Sequence, residues 1–320
     1  MQDLKIGNLT IKNPVILAPM AGITDSAFRK IVKKFGCGYT VSEMIASRAI
    51  LLNVKNEIKK MKKNDSEYPM AIQIAGFEPD VMAEAAIILE SNGADIIDLN
   101  FGCPVKKVVN GYAGSALMKD ADLSEEIMKS VANAVKIPVT IKMRKGWDDV
   151  NQNALEICKI AEDCGVKMAT IHGRTRAQMY NGRSDWEFIA SIKQKTSIPI
   201  IANGDIKTME DAKNVMNMTK VDGIMIGRGI YGKPWLLSQM IDHINGKSVI
   251  EIDKITKLNT ILEHLELIEN LYDERNYIGI ARKHLGFYSH GMDGSANFRK
   301  NVNFSEAWNE IIEYTMEFFG

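Results

Sequence analysis

Apolar and polar positions along the chain follow two periods, and the switches between them mark out the elements. Leu4, Ile6, Leu9 and Ile11 alternate with polar residues around Gly7-Asn8, which predicts a hairpin placed as a lid on the bottom of the domain. A short apolar run at 15–18 reads as a strand. Phe28, Ile31, Val32 and Phe35 follow at helical spacing, and Gly36 closes that helix. The same rhythm then repeats. Strands are predicted at 39–42, 70–74, 96–100, 139–143, 168–172, 200–202 and 223–226. Helices are predicted through the lysine run 55–63, from Pro79 with Val81, Ala85, Ile88 and Leu89 on one face, and over 123–135, 154–164, 186–195, 209–216 and 234–241. Eight strand–helix units predict an α/β fold, a closed (β/α)8 barrel. The competing open doubly wound sheet lacks its GxGxxG turn after the first strand. Beyond residue 246 the rhythm changes to helices alone, at 255–272, 278–288 and 307–318. We therefore expect a barrel over 1–246 that carries the chemistry and a helical domain over 247–320.

Polar residues interrupt this pattern where barrel strands end. Met20 follows Pro19, Gln73 sits in an apolar strand, and Lys142 interrupts Val-Thr-Ile. His172 opens His-Gly-Arg. Asn203-Gly204-Asp205 and Gly227-Arg228-Gly229 end the last two strands. Buried polar groups are costly unless partnered, so a series of them at equivalent strand ends points to a site. The strand 96–100 leads into Asn100-Phe101-Gly102-Cys103-Pro104. Proline cannot continue a central strand, so Cys103 is expected on a fixed backbone at the head of a long loop. The C-terminal ends of barrel strands carry the chemistry of this fold, and a thiol there is a proton donor or a nucleophile. The last two loops are the usual phosphate site, with backbone N–H groups at Asn203-Gly204 and a guanidinium at Arg228. Lys142 and Gln73 suit the pyrimidine edge of a flavin, where a cation stabilises the charge gained on reduction.

Composition changes this picture little. Of 320 residues 46% are hydrophobic and 25% charged, as in globular domains. Lys+Arg and Asp+Glu are 40 each, so net charge gives no sign of a nucleic-acid partner. The segment 247–320 is itself acidic, with eight Lys/Arg against twelve Asp/Glu. No apolar stretch approaches the ~20 residues of a membrane span, and no signal peptide is recognisable. The four cysteines show no metal spacing, so we expect no metal, free thiols and a cytoplasmic protein. Cys37, Cys158 and Cys164 read as structural.

The ordered set Ala18-Pro19-Met20-Ala21-Gly22-Ile23-Thr24-Asp25, Asn100-Phe101-Gly102-Cys103-Pro104, Ile141-Lys142-Met143-Arg144, His172-Gly173-Arg174-Thr175, Asn203-Gly204-Asp205 and Ala281-Arg282-Lys283-His284 resembles the flavin-dependent tRNA-dihydrouridine synthases, most closely their bacterial B-type branch. One departure is Lys119-Asp120-Ala121, where relatives often carry proline after the aspartate. The resemblance implies reduction of the C5=C6 bond of D-loop uridines in tRNA, with FMN as cofactor and NADPH or NADH as electron donor. It implies that Cys103 is the proton donor and that FMN meets Pro19, Met20, Ala21, Gln73, Lys142 and His172. The FMN phosphate would lie on Asn203, Gly204, Asp205, Gly227 and Arg228, and Asn100 would help to position the pyrimidine.

A uridine must leave its stack to reach a barrel mouth, and phosphate contacts have to offset that cost of a few kcal/mol. Lys106, Lys107, Arg174, Arg176, Arg282, Lys283, Arg299 and Lys300 are the candidates for tRNA contact. Arg275 with Arg282, and Lys283 with His290, are spaced to share a helix face. The alternative function is a small-molecule reductase of the dihydroorotate dehydrogenase type, which would need no helical platform. A further alternative is an RNA-binding protein without chemistry, which intact Cys103, Lys142 and Gln73 argue against. The oligomeric state is left open, with a monomer as the expectation.

Overall fold

Alternation within each strand decides which side chains fill the barrel and which face the helices. The computed structural model describes residues 1–61 and 63–320, with the backbone alone for Asn56, Lys107, Glu274 and Arg275. Strands β1 (Leu4–Ile6) and β2 (Leu9–Ile11) form the antiparallel hairpin. The barrel strands are β3 (Val15–Leu17), β4 (Thr40–Val41), β6 (Met70–Ala75), β7 (Ile96–Phe101), β8 (Val139–Arg144), β9 (Ala169–His172), β10 (Ile200–Asn203) and β11 (Gly223–Ile226). All pair in parallel, and β11 pairs with β3, so the sheet closes. The two-residue strand β5 (Ile45–Ala46), which the sequence pattern does not announce, prolongs the pairing along β6.

Ile16, Tyr39, Val41, Ala71, Ile96, Met168, Ile201 and Met225 fill the barrel's lower interior, and the hairpin's Leu4, Ile6 and Ile11 join them. The hairpin thus stoppers the bottom. Full burial of each aliphatic side chain is worth ~1.5–3 kcal/mol, so three of them dock the hairpin firmly. The alternate residues Val15, Leu17, Ile72, Ile74, Ile97, Leu99, Ile141 and Ile171 belong to the outer core against the helices. Above the apolar floor the inward positions become polar, as the strand-end residues lead one to expect.

The helices are α1 (Ser26–Lys34), α2 (Ser47–Leu51), α3 (Lys55–Met61), α4 (Pro79–Ser91), α5 (Lys106–Val109), α6 (Ala121–Ala134), α7 (Ala154–Asp163), α8 (Trp186–Lys193), α9 (Met209–Thr219), α10 (Leu236–Ile244), α11 (Lys254–Leu271), α12 (Glu274–Tyr288), α13 (Ser295–Phe304) and α14 (Trp308–Phe319). Their starts follow local chemistry. Asp25 accepts from Phe28 N–H to cap α1, and Pro79 takes the first position of α4. Asp120 caps α6 by accepting from Leu123 N–H, and Ala121 takes the first helical position. No helix among the described residues is long and apolar enough to cross a membrane.

Two readings need correction. The segment after Cys103 is not one open loop: it holds α5 and a 3-10 turn at Gly114–Lys119. Helix α12 ends at Tyr288, so His290 lies in the following turn and shares no helix face with Lys283. The side chain of Arg275 lies outside those described.

The C-terminal helices bury their own cluster, with Leu265, Leu285, Phe298, Val302 and Ile311 among its members. They meet the barrel at α1. The Phe28 ring lies 5.5 Å from that of His264 and 5.6 Å from that of His284. Two further ties reach the segment between β3 and α1. Tyr272 Oη donates to Asp25 Oδ2 at 2.9 Å, and Lys283 Nζ donates to the Gly22 carbonyl.

Candidate active site

A cavity of about 350 Å³ opens at the C-terminal ends of the barrel strands, within the usual range for small-molecule sites. Its walls include all eleven residues singled out for the cofactor, namely Pro19, Met20, Ala21, Gln73, Lys142, His172, Asn203, Gly204, Asp205, Gly227 and Arg228. Asn100, Cys103, Arg144, Arg174 and Tyr180 line it too. Strand register explains the gathering. Gln73 pairs with Asp98, Asn100 with Lys142, Arg144 with His172, and Asn203 with His172. Residues two apart on one strand face the same way, so Asp98 and Asn100, or Lys142 and Arg144, share the interior.

A chain of hydrogen bonds runs beneath one side of the cavity. Thr140 Oγ1 donates to Asp98 Oδ1 at 2.6 Å, and Gln73 Nε2 donates to Asp98 Oδ2 at 2.7 Å. Asn100 Nδ2 donates to Gln73 Oε1 at 2.6 Å. Asn100 Oδ1 accepts the backbone N–H of Cys103 at 2.9 Å and that of Gly102 at 3.2 Å. The Cys103 carbonyl accepts from Ser115 Oγ at 2.9 Å and Ser115 N–H at 3.1 Å. A Cβ at Gly114 would lie 2.8 Å from that carbonyl, so only glycine lets the loop return so close. The Cys103 backbone is therefore held from two sides, with its residue half-buried at the rim.

Charge is concentrated beside this chain of hydrogen bonds, from Lys142 on β8 round to the loops after β9, β10 and β11. Lys142 Nζ donates to Asn203 Oδ1 at 3.1 Å, and Asn203 Nδ2 donates to the Met225 carbonyl at 2.8 Å. Burial, and next the Arg144 guanidinium, lower the Lys142 pKa to about 8, against the pull of Asp98. The ammonium remains charged at neutral pH. Burial pushes Asp98 up, opposed by its bonds from Thr140 and Gln73 and by Lys142. Burial and then the cations Lys142, Arg144, Arg174 and Arg228 hold His172 well below its usual range, so its imidazole is neutral.

The end of the cavity formed by the loop after β10 is built from glycine and a left-handed turn. Gly204 has φ +113°, and a Cβ there would lie 2.5 Å from Ser184 Oγ and 2.6 Å from the His172 ring. Asp205 follows at φ +57° and accepts from Ser184 N–H and Arg174 Nη2, both at 2.7 Å. Burial works against its charge, but these two partners outweigh it and its pKa is lowered. Arg228 lies over the Tyr180 ring, 4.4 Å from its centre.

The residues expected to contact tRNA scatter more. Lys106 is exposed on α5, one turn beyond Cys103, and the side chain of Lys107 lies outside those described. Arg174 is buried and also donates to the Asn181 and Gly182 carbonyls, so its guanidinium is committed inside the protein. Arg176 stacks over Trp147 at 4.7 Å. Arg282 donates to the Val302 and Ser305 carbonyls, tying α12 to α13. Lys283 reaches the Gly22 carbonyl, while Arg299 and Lys300 sit on α13, Lys300 exposed.

Sequence reasoning passes over Asp98, Thr140, Arg144 and Tyr180. The period of two finds the first three once it is applied, since each lies two residues from a site residue or beside one in the next strand. Tyr180 lies on a loop that only tertiary contacts bring over the cavity: Arg144 Nη1 holds that loop through the Thr175 and Met179 carbonyls, both at 2.8 Å. Cys37 and Cys158 are buried, their thiols pushed up to about 12 by burial.

A family model described as dihydrouridine synthase matches residues 16–316. The chain is 49% identical to a protein of Rickettsia bellii (strain RML369-C) called probable tRNA-dihydrouridine synthase, over 99% of this chain and 98% of that one. It is 42% identical to proteins called tRNA-dihydrouridine synthase B from Vibrio vulnificus (strain CMCP6) and Pseudomonas syringae pv. tomato (strain ATCC BAA-871 / DC3000). Those matches cover 95% and 100% of this chain and 95% of each relative.

Proposed function

The chain belongs to the dihydrouridine synthase family, and on that premise we propose that it reduces uridine in tRNA to 5,6-dihydrouridine with FMN, NADPH and Cys103 as proton donor. The observation that carries this reading is one cavity lined by Cys103 together with every residue expected to hold the flavin. Family membership speaks against the dihydroorotate dehydrogenase type of reductase, and the presence of Cys103, Lys142 and Gln73 together in the cavity speaks against an RNA-binding protein without chemistry.

The residues present suit an FMN. Gly204 leaves backbone close to the phosphate end, where a Cβ has no room, and Gly227 and Arg228 face the same space. Gln73 keeps one amide N–H and one carbonyl lone pair beyond its bonds to Asp98 and Asn100. Lys142 bonds one side-chain acceptor among the described residues and keeps donors for the cavity. Once bound and reduced by NADPH, FMN would supply a hydride to C6 of the uracil ring.

The chain's own groups do the rest. Lys142 stabilises negative charge that develops in the cavity. Asn100 aligns the pyrimidine with the amide N–H left over from Gln73. The Cys103 thiol gives its proton to C5 from the face opposite the hydride. The neutral His172 offers a donor or acceptor without adding to the charge around it.

We further propose that the protein works in the cytoplasm and that residues 247–320 bind tRNA, with Arg299 and Lys300 as contacts there and Lys106 and Arg176 as contacts from the barrel. Arg174, Arg282 and Lys283 instead hold protein carbonyls and carboxylates. The test is to incubate the purified protein with FMN, NADPH and tRNA transcribed without modifications, then to digest the tRNA and measure dihydrouridine. Dihydrouridine that depends on all three additions is expected. Its absence, with the protein folded and FMN bound, would overturn the reading.

A further inference from the structure

The buried carboxylate of Asp98 lies below the cavity, absent from its lining and from every role given above. It is 1% exposed, and both of its oxygens are occupied, one by Thr140 Oγ1 and one by Gln73 Nε2. An ionised carboxylate only accepts hydrogen bonds, whereas the amides of Gln73 and Asn100 each have a donor end and an acceptor end. Because Asp98 accepts, Gln73 must turn its NH2 down to it. The Gln73 carbonyl then faces Asn100 Nδ2, and the Asn100 carbonyl in turn faces the N–H groups of Gly102 and Cys103.

We propose that Asp98 is the positioning residue that fixes the donor–acceptor order of this chain, and through it both the edge that Gln73 offers the flavin and the seat of Cys103. The flavin half of the proposal rests on the function proposed above; the Cys103 half does not.

An amide at position 98 cannot do the same work. If that amide kept its carbonyl towards Gln73, its NH2 would meet Thr140 Oγ1, and the threonine hydroxyl would lose its acceptor. If it turned its NH2 to Gln73, the order of both amides above it would reverse, and Asn100 would point NH2 at the N–H groups of Gly102 and Cys103. Each arrangement leaves a buried polar group unpaired, which is a substantial cost. A group that only accepts is the one choice that satisfies both ends.

The experiment compares Asp98→Asn, Thr140→Val and the double variant Asp98→Asn/Gln73→Glu, all in a Cys164→Ser background. Three readouts are taken: FMN affinity by fluorescence quenching, melting temperature, and the rate at which iodoacetamide modifies Cys103 in the FMN-free protein. Asp98→Asn should weaken FMN binding roughly tenfold, about one hydrogen bond's worth, and should change the Cys103 modification rate at least threefold. Thr140→Val, which keeps the carboxylate and the amide order but removes one of its donors, should lower the melting temperature at least as much as Asp98→Asn while changing FMN affinity and the Cys103 rate less.

In the double variant the carboxylate introduced at position 73 again accepts from Asn100 Nδ2, and the amide introduced at position 98 can donate to it while accepting from Thr140. The Cys103 rate should return to the parent value while FMN binding stays weak, because the N–H offered to the flavin is gone. A purely structural role predicts instead that Cys103 rate and FMN affinity follow melting temperature across all three variants. That result, or an unchanged Cys103 rate in Asp98→Asn, would overturn the proposal. If the parent binds no FMN, the function proposed above fails, and the thiol readout still decides the Cys103 half.

Discussion

Gly204→Ala is the sharpest test of how the phosphate end is built. Two penalties add at this position. The backbone sits at φ +113°, a region essentially closed to L side chains, which costs ~1–3 kcal/mol. The new methyl carbon would also lie 2.5 Å from Ser184 Oγ and 2.6 and 2.9 Å from the His172 ring. Relief by local shift is restricted. The Gly204 carbonyl accepts from Trp186 Nε1 at 3.0 Å, and the Asn203 carbonyl accepts from Ser184 Oγ at 3.3 Å. Crowding of this kind costs a further ~1–3 kcal/mol. The sum is ~2–6 kcal/mol, which for a chain of this size lowers the melting temperature by roughly 3–9 °C. Gly246→Ala is the control, since Gly246 has φ +69° and nothing within 4 Å of the added carbon. It carries the backbone penalty alone. Differential scanning calorimetry on the two variants, with FMN retention as a second reading, separates the terms. If Gly204→Ala melts no lower than Gly246→Ala and keeps its FMN, the argument from close approach is wrong.

Three more outcomes are expected. Cys103→Ala should retain FMN and lose nearly all dihydrouridine formation; full activity in that variant would remove the acid role. Lys142 has its folded pKa lowered to about 8 from 10.5, so the unfolded chain binds more protons between those values and this group's contribution favours folding increasingly as pH rises from 8 to 10.5. The stability of the parent relative to Lys142→Met should therefore improve over that window in chemical denaturation, and a flat difference would refute the shift. Tyr272→Phe combined with Lys283→Met removes both ties from the C-terminal helices to the segment between β3 and α1, and should weaken FMN binding severalfold at little cost in melting temperature. Unchanged FMN affinity would show that those ties do not support the cofactor seat.

The barrel is legible in the sequence because its strands are short apolar runs that alternate with amphipathic helices. The site is legible because glutamine, lysine, histidine and asparagine stand out at the upper ends of such runs. What stays hidden has physical reasons. Asp98 lies inside an apolar strand, two residues before Asn100, and its role depends on register with Gln73 and Thr140, which no single strand reveals. Helix α13 buries only Phe298 and Val302 as apolar residues, too few to show a period. The segment Val105–Gly111 mixes lysine, valine and asparagine and reads equally as a loop or as a turn of helix. Lys283 reads as a phosphate contact because nothing local says that its partner is a carbonyl 261 residues away.

The stopper formed by the first eleven residues has a kinetic consequence. With the floor closed by Leu4, Ile6 and Ile11, the cavity opens at the C-terminal ends of the strands, and on the proposed function the electron donor and the uridine would both enter from that side. On the proposed function the electron donor and the RNA would therefore visit in turn, and a docked RNA would delay re-reduction of the cofactor until it departs.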